Sequence, residues 1–164
     1  MSSKRHEGFD AQEFRRACGR FATGVTVAAV ADSSGTLHGL TVNSFTSVSL
    51  APPLVLVSIS HEASAIEAFR QASHFGISIL AEDQRALSDH FSRKGHDRFG
   101  GAAWHPGESG VPLLDGALAV LECRLERRVP LGDHDLFVGE VLHARYQEDG
   151  RPLLYFASRY RHLA

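Results

Sequence analysis

Residues 39–53 combine short polar side chains with apolar ones in a pattern that suits the binding of a flat ring with a polar edge. The polar members are Thr41, Asn43, Ser44, Thr46, Ser47 and Ser49, and the apolar ones among them are Val42, Phe45, Val48 and Leu50. Carbon atoms can pack on the faces of a heteroaromatic ring while short donors and acceptors meet its edge. An edge strand with a solvated face would have a similar composition, because threonine is common in strands. This segment alone leaves both interpretations open.

A second candidate for chemistry is His134, which follows Gly132 and Asp133 where a loop leads into a strand. Its imidazole can hydrogen-bond a ligand and can change charge near neutral pH. The alternative is a histidine whose ring nitrogens bond the neighbouring turn. A Ser–His–Asp hydrolase is disfavoured, because no G-x-S-x-G motif occurs and because adjacent strand residues point to opposite faces of a sheet.

The chain lacks both common phosphate-binding loops, since it has no G-x-G-x-x-G after a strand and no G-x-x-x-x-G-K-[ST]. A nucleotide phosphate must therefore be held by hydroxyls, backbone N–H groups and single basic side chains. The candidates for this role outside residues 41–47 are Ser58, Ser60, Ser64, Ser92, Lys94 and Arg98. This inventory permits a phosphate site without requiring one.

No metal site is expected, although the sequence contains ten histidines. No histidine pair has the H-E-x-x-H form, and the two cysteines, Cys18 and Cys123, lack zinc-binding spacing. His96 and His105 flank a glycine-rich stretch, which alone does not define a metal site. Cys123 alternates with polar residues along a strand-like run, so we expect it to face the core.

Length and composition indicate one globular domain, residues 1–164, in which residues 1–9 form a flexible polar tail. The net charge of −2 provides no basic field that would attract nucleic acid or an anionic membrane. The polar start does not look like a signal peptide, and no apolar run is long enough to span a bilayer. Because no disulfide framework is indicated, we expect a cytoplasmic protein.

Periodicity and turn residues divide the chain into short strands and a few helices. A capping box at residues 10–13 predicts a first helix over about residues 10–20, with Phe14, Ala17, Cys18 and Phe21 on one face. Further helices are predicted over residues 64–72 and 83–92, and residues 95–112 are predicted to form a functional loop. Strands are predicted over residues 25–30, from 37 onward after a turn at 32–35, and over 54–60, 74–80, 117–129, 135–147 and 153–157. Hairpin-length links favour antiparallel pairing and closure into a small barrel.

Four segments together resemble the short-chain flavin reductases, which are NAD(P)H:flavin oxidoreductases that feed two-component monooxygenases. They are residues 21–27 (Phe-Ala-Thr-Gly-Val-Thr-Val), residues 39–53, residues 132–141 with Gly-Asp-His at their start, and residues 160–163 (Tyr-Arg-His-Leu). These segments occur in the family's order and cover the chain from about Phe14 to Leu163.

The resemblance implies an antiparallel Greek-key split β-barrel with a few short flanking helices, usually a homodimer. It implies FMN or FAD as the flavin, NADH or NADPH as the hydride donor, and a flavin-dependent monooxygenase that receives the reduced flavin by diffusion. It places His134 beside the nicotinamide. The residues that it implies for flavin binding are Thr41, Val42, Asn43, Ser44, Phe45, Thr46, Ser47, Ser58, Ser60, Ala63, Ser64, Ala65, Phe91, Ser92, Arg98 and Tyr160.

Two other interpretations stand beside the reductase. A flavin-binding module could store or sense flavin without turnover, and a barrel of the same fold could bind haem or a pyridoxal derivative. The intact Gly-Asp-His run favours the reductase over the storage module, because storage needs no nicotinamide partner. The Thr-Val-Asn-Ser-Phe run at residues 41–45 disfavours a different cofactor.

Overall fold

The computed structural model describes residues 8–95 and 97–164, so residues 1–7 of the predicted tail and His96 lie outside the described part. The described chain is mainly β, as predicted. Its helices are α1 (Ala11–Cys18), α2 (Ile66–Gln71) and α3 (Arg85–Ser92), and a 3₁₀ turn, Glu82–Gln84, directly precedes α3. Its strands are β1 (Thr23–Gly24), β2 (Thr26–Ala31), β3 (Leu37–Val42), β4 (Thr46–Leu50), β5 (Pro53–Ser60), β6 (His74–Ile79), β7 (Trp104–Pro106), β8 (Pro112–Leu114), β9 (Ala119–Leu131), β10 (His134–Tyr146), β11 (Leu154–Phe156) and β12 (Arg159–Arg161).

Seven of these strands form one sheet in the order β3-β2-β6-β9-β10-β5-β4. Every pairing in it is antiparallel, which confirms the prediction made from the short links. The long β9–β10 hairpin pairs from His134 with Leu131 to Tyr146 with Ala119. Two smaller antiparallel sheets, β1-β11-β12 and β7-β8, complete the described strands. The β7–β8 pair lies within and beside the predicted glycine-rich loop.

The turn between β2 and β3 confirms the predicted hairpin at residues 32–35. The Asp32 carboxylate accepts hydrogen bonds from the Ser34 hydroxyl at 2.6 Å and from the Thr36 N–H at 3.0 Å, and it lies 2.8 Å from the His38 ring. These bonds, led by that of the Ser34 hydroxyl, lower the pKa of Asp32. Gly35 has a φ of 83°, which favours glycine.

β2 contributes apolar side chains to cores on both of its faces, because its residues from Thr26 to Val30 are all buried. Ala28 packs in a cluster that includes Phe137. Val27 packs in a second cluster that includes Phe91, beneath α3. One strand therefore joins the two cores into a continuous structure.

The predicted alternation along β5 is confirmed, since Val55, Val57 and Ile59 are buried while the intervening side chains are only half-buried. Cys123 is fully buried, also as predicted. Burial raises the pKa of the Cys123 thiol to about 12, so this thiol stays protonated at neutral pH.

α1 begins as predicted, with the Asp10 carboxylate accepting the Gln12 N–H at 2.9 Å. The helix has no buried residue, and Phe14 and Phe21 remain 55% and 78% exposed. The predicted apolar face therefore exists, but no described element covers it. Among the described residues, none of the helices has the length and apolar character that a membrane crossing needs.

Candidate functional site

A cleft in the described part of the chain has a volume of about 650 Å³. It lies where the end of β3 meets α3 and the β11–β12 hairpin. Its lining residues are Val25, Thr41, Asn43, Arg85, Ser88, Asp89, Ser92, Tyr155, Ser158, Arg159 and Tyr160. The cleft falls within the size range of small-molecule sites, and its wall combines aromatic carbon with short hydroxyls and a few charges.

β3 and α3 approach closely at one side of this cleft. Gly39 makes this possible, because a Cβ atom there would lie 3.0 Å from the Phe99 ring and 3.1 Å from the Phe91 ring. Two residues along the strand, the Thr41 hydroxyl donates to the Ser88 carbonyl at 2.7 Å. This hydrogen bond to α3 fixes the position of Thr41, and so of the hydroxyl-rich segment, at the cleft.

Tyr160 forms the opposite wall. Its hydroxyl lies 2.7 Å from the Ser88 hydroxyl, and its ring contacts the Tyr155 ring edge-on at 5.5 Å. The Arg85 guanidinium lies 5.0 Å from the centre of the Tyr160 ring. Burial raises the pKa of Tyr160, so its phenol is a neutral hydrogen-bonding group at physiological pH.

The polar face of α3 contributes three cleft residues that the sequence analysis does not predict, Arg85, Ser88 and Asp89, beside the predicted Ser92. These four residues follow the i, i+3, i+4, i+7 spacing of one helical face. That spacing could have indicated the face, but the apolar face of the same helix, with Phe91, dominates the sequence pattern.

Four of the residues implied by the resemblance meet in the cleft: Thr41, Asn43, Ser92 and Tyr160. Others contribute to packing instead. Val42, Ala65 and Phe91 are buried in the two cores, and Phe45 and Ala63 pack against the first of them. Thr46 and Ser47 are exposed on β4.

A second group lies on what we call the outer sheet face: Leu56, Ser58 and Ser60 of β5 with His134, Leu136 and Val138 of β10. Directly paired residues share a face of an antiparallel sheet, and His134 pairs with Ser60 while Leu136 pairs with Ser58. All six side chains are half-buried. Ser44 joins this group, because its hydroxyl bonds the backbone N–H and C=O of Ser58 at 3.0 and 2.9 Å.

His134 stands at the end of this face, with its side chain 42% exposed. Its Nδ1 lies 2.6 Å from the Asp133 carboxylate, and this contact lowers the pKa of Asp133. Nε2 has no hydrogen-bond partner among the described residues. The imidazole is thus oriented through one nitrogen and presents the other.

Asp135 is fully buried directly after His134 and binds two guanidinium groups and one imidazole. Its carboxylate accepts from Arg70 Nε at 2.8 Å, from Arg128 at 3.0 Å and from His61 Nε2 at 2.9 Å. The hydrogen bond from Arg70 is the main cause of the lowered pKa of Asp135. The backbone N–H of His61 also donates to the Asp133 carbonyl at 2.9 Å. This buried carboxylate therefore fixes the turn that carries His134.

A third group surrounds Arg98. Its guanidinium donates to the Ser64 hydroxyl at 3.1 Å, to the Arg93 carbonyl at 2.9 Å and to the Gly39 carbonyl. Burial lowers the pKa of Arg98, and no carboxylate pairs with it among the described residues. Arg98, Ser64 and Ala65 line a pocket of about 330 Å³ that shares β3 with the cleft.

No cluster of three or more potential metal-binding side chains occurs in residues 8–95 and 97–164. His105 Nδ1 lies 2.6 Å from the Asp115 carboxylate, but no third potential metal ligand among the described residues joins this hydrogen-bonded pair.

Comparison with known proteins identifies relatives along almost the whole chain. Residues 18–164 match the family model described as flavin reductase like domain. The chain is 46% identical to an NADH-dependent flavin reductase of Rhodococcus over 155 residues, which cover 91% of this chain and 84% of the relative. It is 45% identical to the FMN reductase (NADH) SmoA of Agrobacterium fabrum over 148 residues, covering 90% and 83%.

Solved structures give the same result. The NADH:FAD oxidoreductase of Streptomyces globisporus, in complex with NAD and FAD fragments, superposes with a TM-score of 0.90 at 39% identity and covers 94% of this chain and 93% of its own. The styrene monooxygenase flavin reductase of Pseudomonas putida superposes with a TM-score of 0.84 at 41% identity, covering 93% and 97%.

Proposed function

Because the chain belongs to the family of flavin reductase-like domains, we propose that it reduces FMN or FAD with NADH or NADPH. The reduced flavin then passes by diffusion to a partner monooxygenase. The observation that carries the proposal is the 650 Å³ cleft, in which the hydroxyl-rich segment after Gly39 meets the polar face of α3 and Tyr160. Bound flavin supplies a hydride acceptor at N5, and the nicotinamide supplies the hydride.

The protein's task in this reaction is to hold two rings in contact, with the reacting atoms about 3–3.5 Å apart. Thr41, Asn43, Ser92 and Tyr160 line the cleft. In this proposal Thr41 and Asn43 meet the polar edge of the flavin ring, and Tyr160 and Ser92 close the cleft beside it. No side chain has to act as a nucleophile, which agrees with the absence of a hydrolase triad in the sequence.

The Arg98 pocket is suited to the flavin phosphate. Gly39 lines it and Thr41 lines the cleft, and these two residues are separated by roughly 7 Å along β3. Ser64 supplies a hydroxyl, and Arg98 supplies a positive charge that no described carboxylate neutralises. A phosphate that is joined by a flexible chain to a ring in the cleft could therefore contact both the Ser64 hydroxyl and the Arg98 guanidinium. Ser60, with its hydroxyl accepting the Glu62 N–H at 3.2 Å, begins the loop that carries this site.

We propose that the protein acts as a homodimer with shared sites. His134 and Ser60 lie on the outer sheet face and are not among the residues that line the cleft with Thr41 and Tyr160. The outer sheet face is half-buried and rich in aliphatic carbon, which suits contact with a second copy. Such a copy would bring its His134 to the nicotinamide side of the first chain's cleft.

The finer architectural expectations belong to the same proposal. We propose that the seven-stranded sheet curves into the split barrel of the family and that residues 1–164 act as one domain in the cytoplasm. The two cores that meet on β2 support a single domain.

The flavin-storage alternative makes a different prediction, because it requires flavin binding without oxidation of a nicotinamide. Purified protein should oxidise NADH or NADPH when FMN or FAD is added, without any aromatic substrate. Riboflavin serves as a control that lacks the phosphate. No rate above the protein-free background with any combination would reject the reductase and leave storage standing.

A further inference from the structure

A second cleft, of about 440 Å³, adjoins the proposed flavin cleft. It is lined by Gln12, Arg15, Arg16, Gly19, Arg20, Ala157 and Ser158, and we call it the arginine cleft. Ser158 lines both clefts, so they meet at the tip of the β11–β12 hairpin. A single extended ligand can therefore reach from one into the other.

The arginine cleft holds positive charge without a counter-charge. None of its lining residues is a carboxylate, and the side chains of Arg15 and Arg16 make no ion pair or hydrogen bond within the described part of the chain. Arg20 packs its guanidinium 5.9 Å from the centre of the Phe156 ring. Like charges held together repel one another, so an anion that enters relieves this repulsion. The planar guanidinium fork is suited to phosphate oxygens in particular.

The two walls of the arginine cleft are fixed against each other. The Ala157 N–H donates to the Gly19 carbonyl at 2.9 Å, which ties the hairpin tip to the end of α1. Ala157 and Ser158 have φ values of 50° and 61°, a left-handed conformation that favours glycine or asparagine. Positive φ at both residues is what the two-residue turn of the β11–β12 hairpin requires, since Phe156 pairs with Arg159.

We propose that the arginine cleft binds the adenosine diphosphate moiety of a dinucleotide whose ring end occupies the flavin cleft. The inference rests on the proposed function, which places that ring. Arg15 and Arg16 would bind the pyrophosphate oxygens, and Ser158 would lie beside the point where the ligand passes between the clefts. NADH carries this moiety and reduced nicotinamide mononucleotide lacks it. FAD is not the expected source, because the first phosphate of its pyrophosphate is the flavin phosphate, which is assigned to the Arg98 pocket, and that pocket shares no lining residue with the arginine cleft.

Isothermal titration calorimetry with ADP as the probe tests the site without any turnover. The double variant Arg15→Ala/Arg16→Ala should bind ADP about 10- to 30-fold more weakly than the wild type, because charged hydrogen bonds to the phosphates are lost. Alanine is the best helix former, so α1 should remain folded, and circular dichroism verifies this. Arg145→Glu, an exposed position on β10, changes the net charge by the same two units and should leave the ADP affinity unchanged.

Matched ligands identify the source of the moiety. The double variant should raise the KM for NADH about 10-fold and leave that for reduced nicotinamide mononucleotide unchanged. A higher Kd for FAD with an unchanged Kd for FMN would overturn the assignment to NADH. Equal ADP binding by wild type and double variant, or none by either, would overturn the site. Weaker ADP binding with neither NADH nor FAD affected would overturn the assignment to a dinucleotide. A wild type that binds ADP but never oxidises NADH would instead reject the proposed function.

Discussion

Asn43 and Ser44 are neighbours in the hydroxyl-rich segment, yet the structure gives them different surroundings. Asn43 is exposed at the cleft, and its side chain makes no hydrogen bond within the described chain. The Ser44 hydroxyl bonds both backbone groups of Ser58 and so ties the segment to β5. A residue type alone therefore does not distinguish a ligand-binding group from one that holds two strands together.

This difference predicts opposite effects for two similar substitutions. Asn43→Ala should weaken flavin binding about 5- to 10-fold, the value of roughly 1 kcal/mol for one hydrogen bond, with an unchanged melting temperature. Ser44→Ala should lower the melting temperature and leave the flavin affinity of the folded protein nearly intact. Flavin titration and differential scanning calorimetry on both variants measure the two effects. If Asn43→Ala lowered the melting temperature and Ser44→Ala weakened flavin binding instead, the geometry of the cleft would be contradicted.

For His134, we expect a loss in hydride transfer with little loss in flavin affinity. His134→Ala should lower the rate of flavin reduction about 10- to 100-fold, since a shift of about 1 Å in a positioned ring can cost that much. The control is His143→Ala, which removes an exposed histidine farther along β10 that pairs with Glu108. If His134→Ala reduces bound flavin at the wild-type rate, then His134 only bonds its neighbouring turn.

Several residues of the candidate site could be predicted from the sequence, but which of them meet in one cleft could not. Thr41, Asn43 and Tyr160 meet in one cleft because β3 and the β11–β12 hairpin converge on α3. His134 of β10 and Ser60 of β5 are directly paired across the sheet, and neither lines this cleft. Such long-range convergence depends on sheet topology, which local patterns do not specify.

At the scale of elements, the start of β10 depends on one buried carboxylate. Asp135 accepts hydrogen bonds from Arg70 of α2, Arg128 of β9 and His61 of the loop after β5. It thereby fixes four elements of the fold at the point where His134 emerges. Its lowered pKa reflects this stabilisation of the charged form.

The pH dependence of stability follows from that lowered pKa. Because the pKa of Asp135 is lower in the folded state than its ordinary value of 3.8, its stabilising effect is full above that value and declines as the pH falls below it. Asp135→Asn should therefore destabilise the fold by on the order of 2 kcal/mol at pH 7. Urea denaturation at several pH values should show the difference between wild type and variant narrowing below about pH 4. A difference that stays constant with pH would contradict the role of the charge.

The strands and helices that were predicted lie mostly within a few residues of their observed positions, because alternation and capping are local properties. The strands β1, β4, β7, β8 and β12 were not predicted as separate strands. α1 is instructive, since its cap and apolar face were predicted but its exposure was not. α2 is shorter than expected and leaves Ser64 and Ala65 outside the helix. Its start has no side-chain cap, so tertiary contacts of Ile66 and Phe69 rather than local signals set its limits.

At the scale of the whole molecule, His134 is not among the residues that line the cleft, and the proposed dimer would bring the His134 of a second copy to it. The half-buried outer sheet face includes Leu56, Leu136 and Val138, whose carbon would be covered in a dimer. Burying such a patch is favourable, and a closed symmetric pair would bury it twice.

Placing a charge on that face tests the shared-site arrangement. Wild-type protein should behave as a dimer in light scattering at micromolar concentration, whereas Leu136→Glu should shift it towards monomer and lower its activity in parallel. Glu126→Lys changes the charge at an exposed position of β9 outside that face and should alter neither. A monomeric wild type that still reduces flavin would exclude shared sites.

Anaerobic single-turnover reduction tests the central claim most directly. The protein is equilibrated with FMN or FAD, mixed with NADH, and followed through the loss of the flavin's visible absorbance. We predict a protein-dependent loss that is slower with NADH deuterated at the transferred position of C4, as expected when the hydride step limits the rate. Absorbance loss at the same rate with and without protein, for both flavins and both nicotinamide nucleotides, would contradict the account.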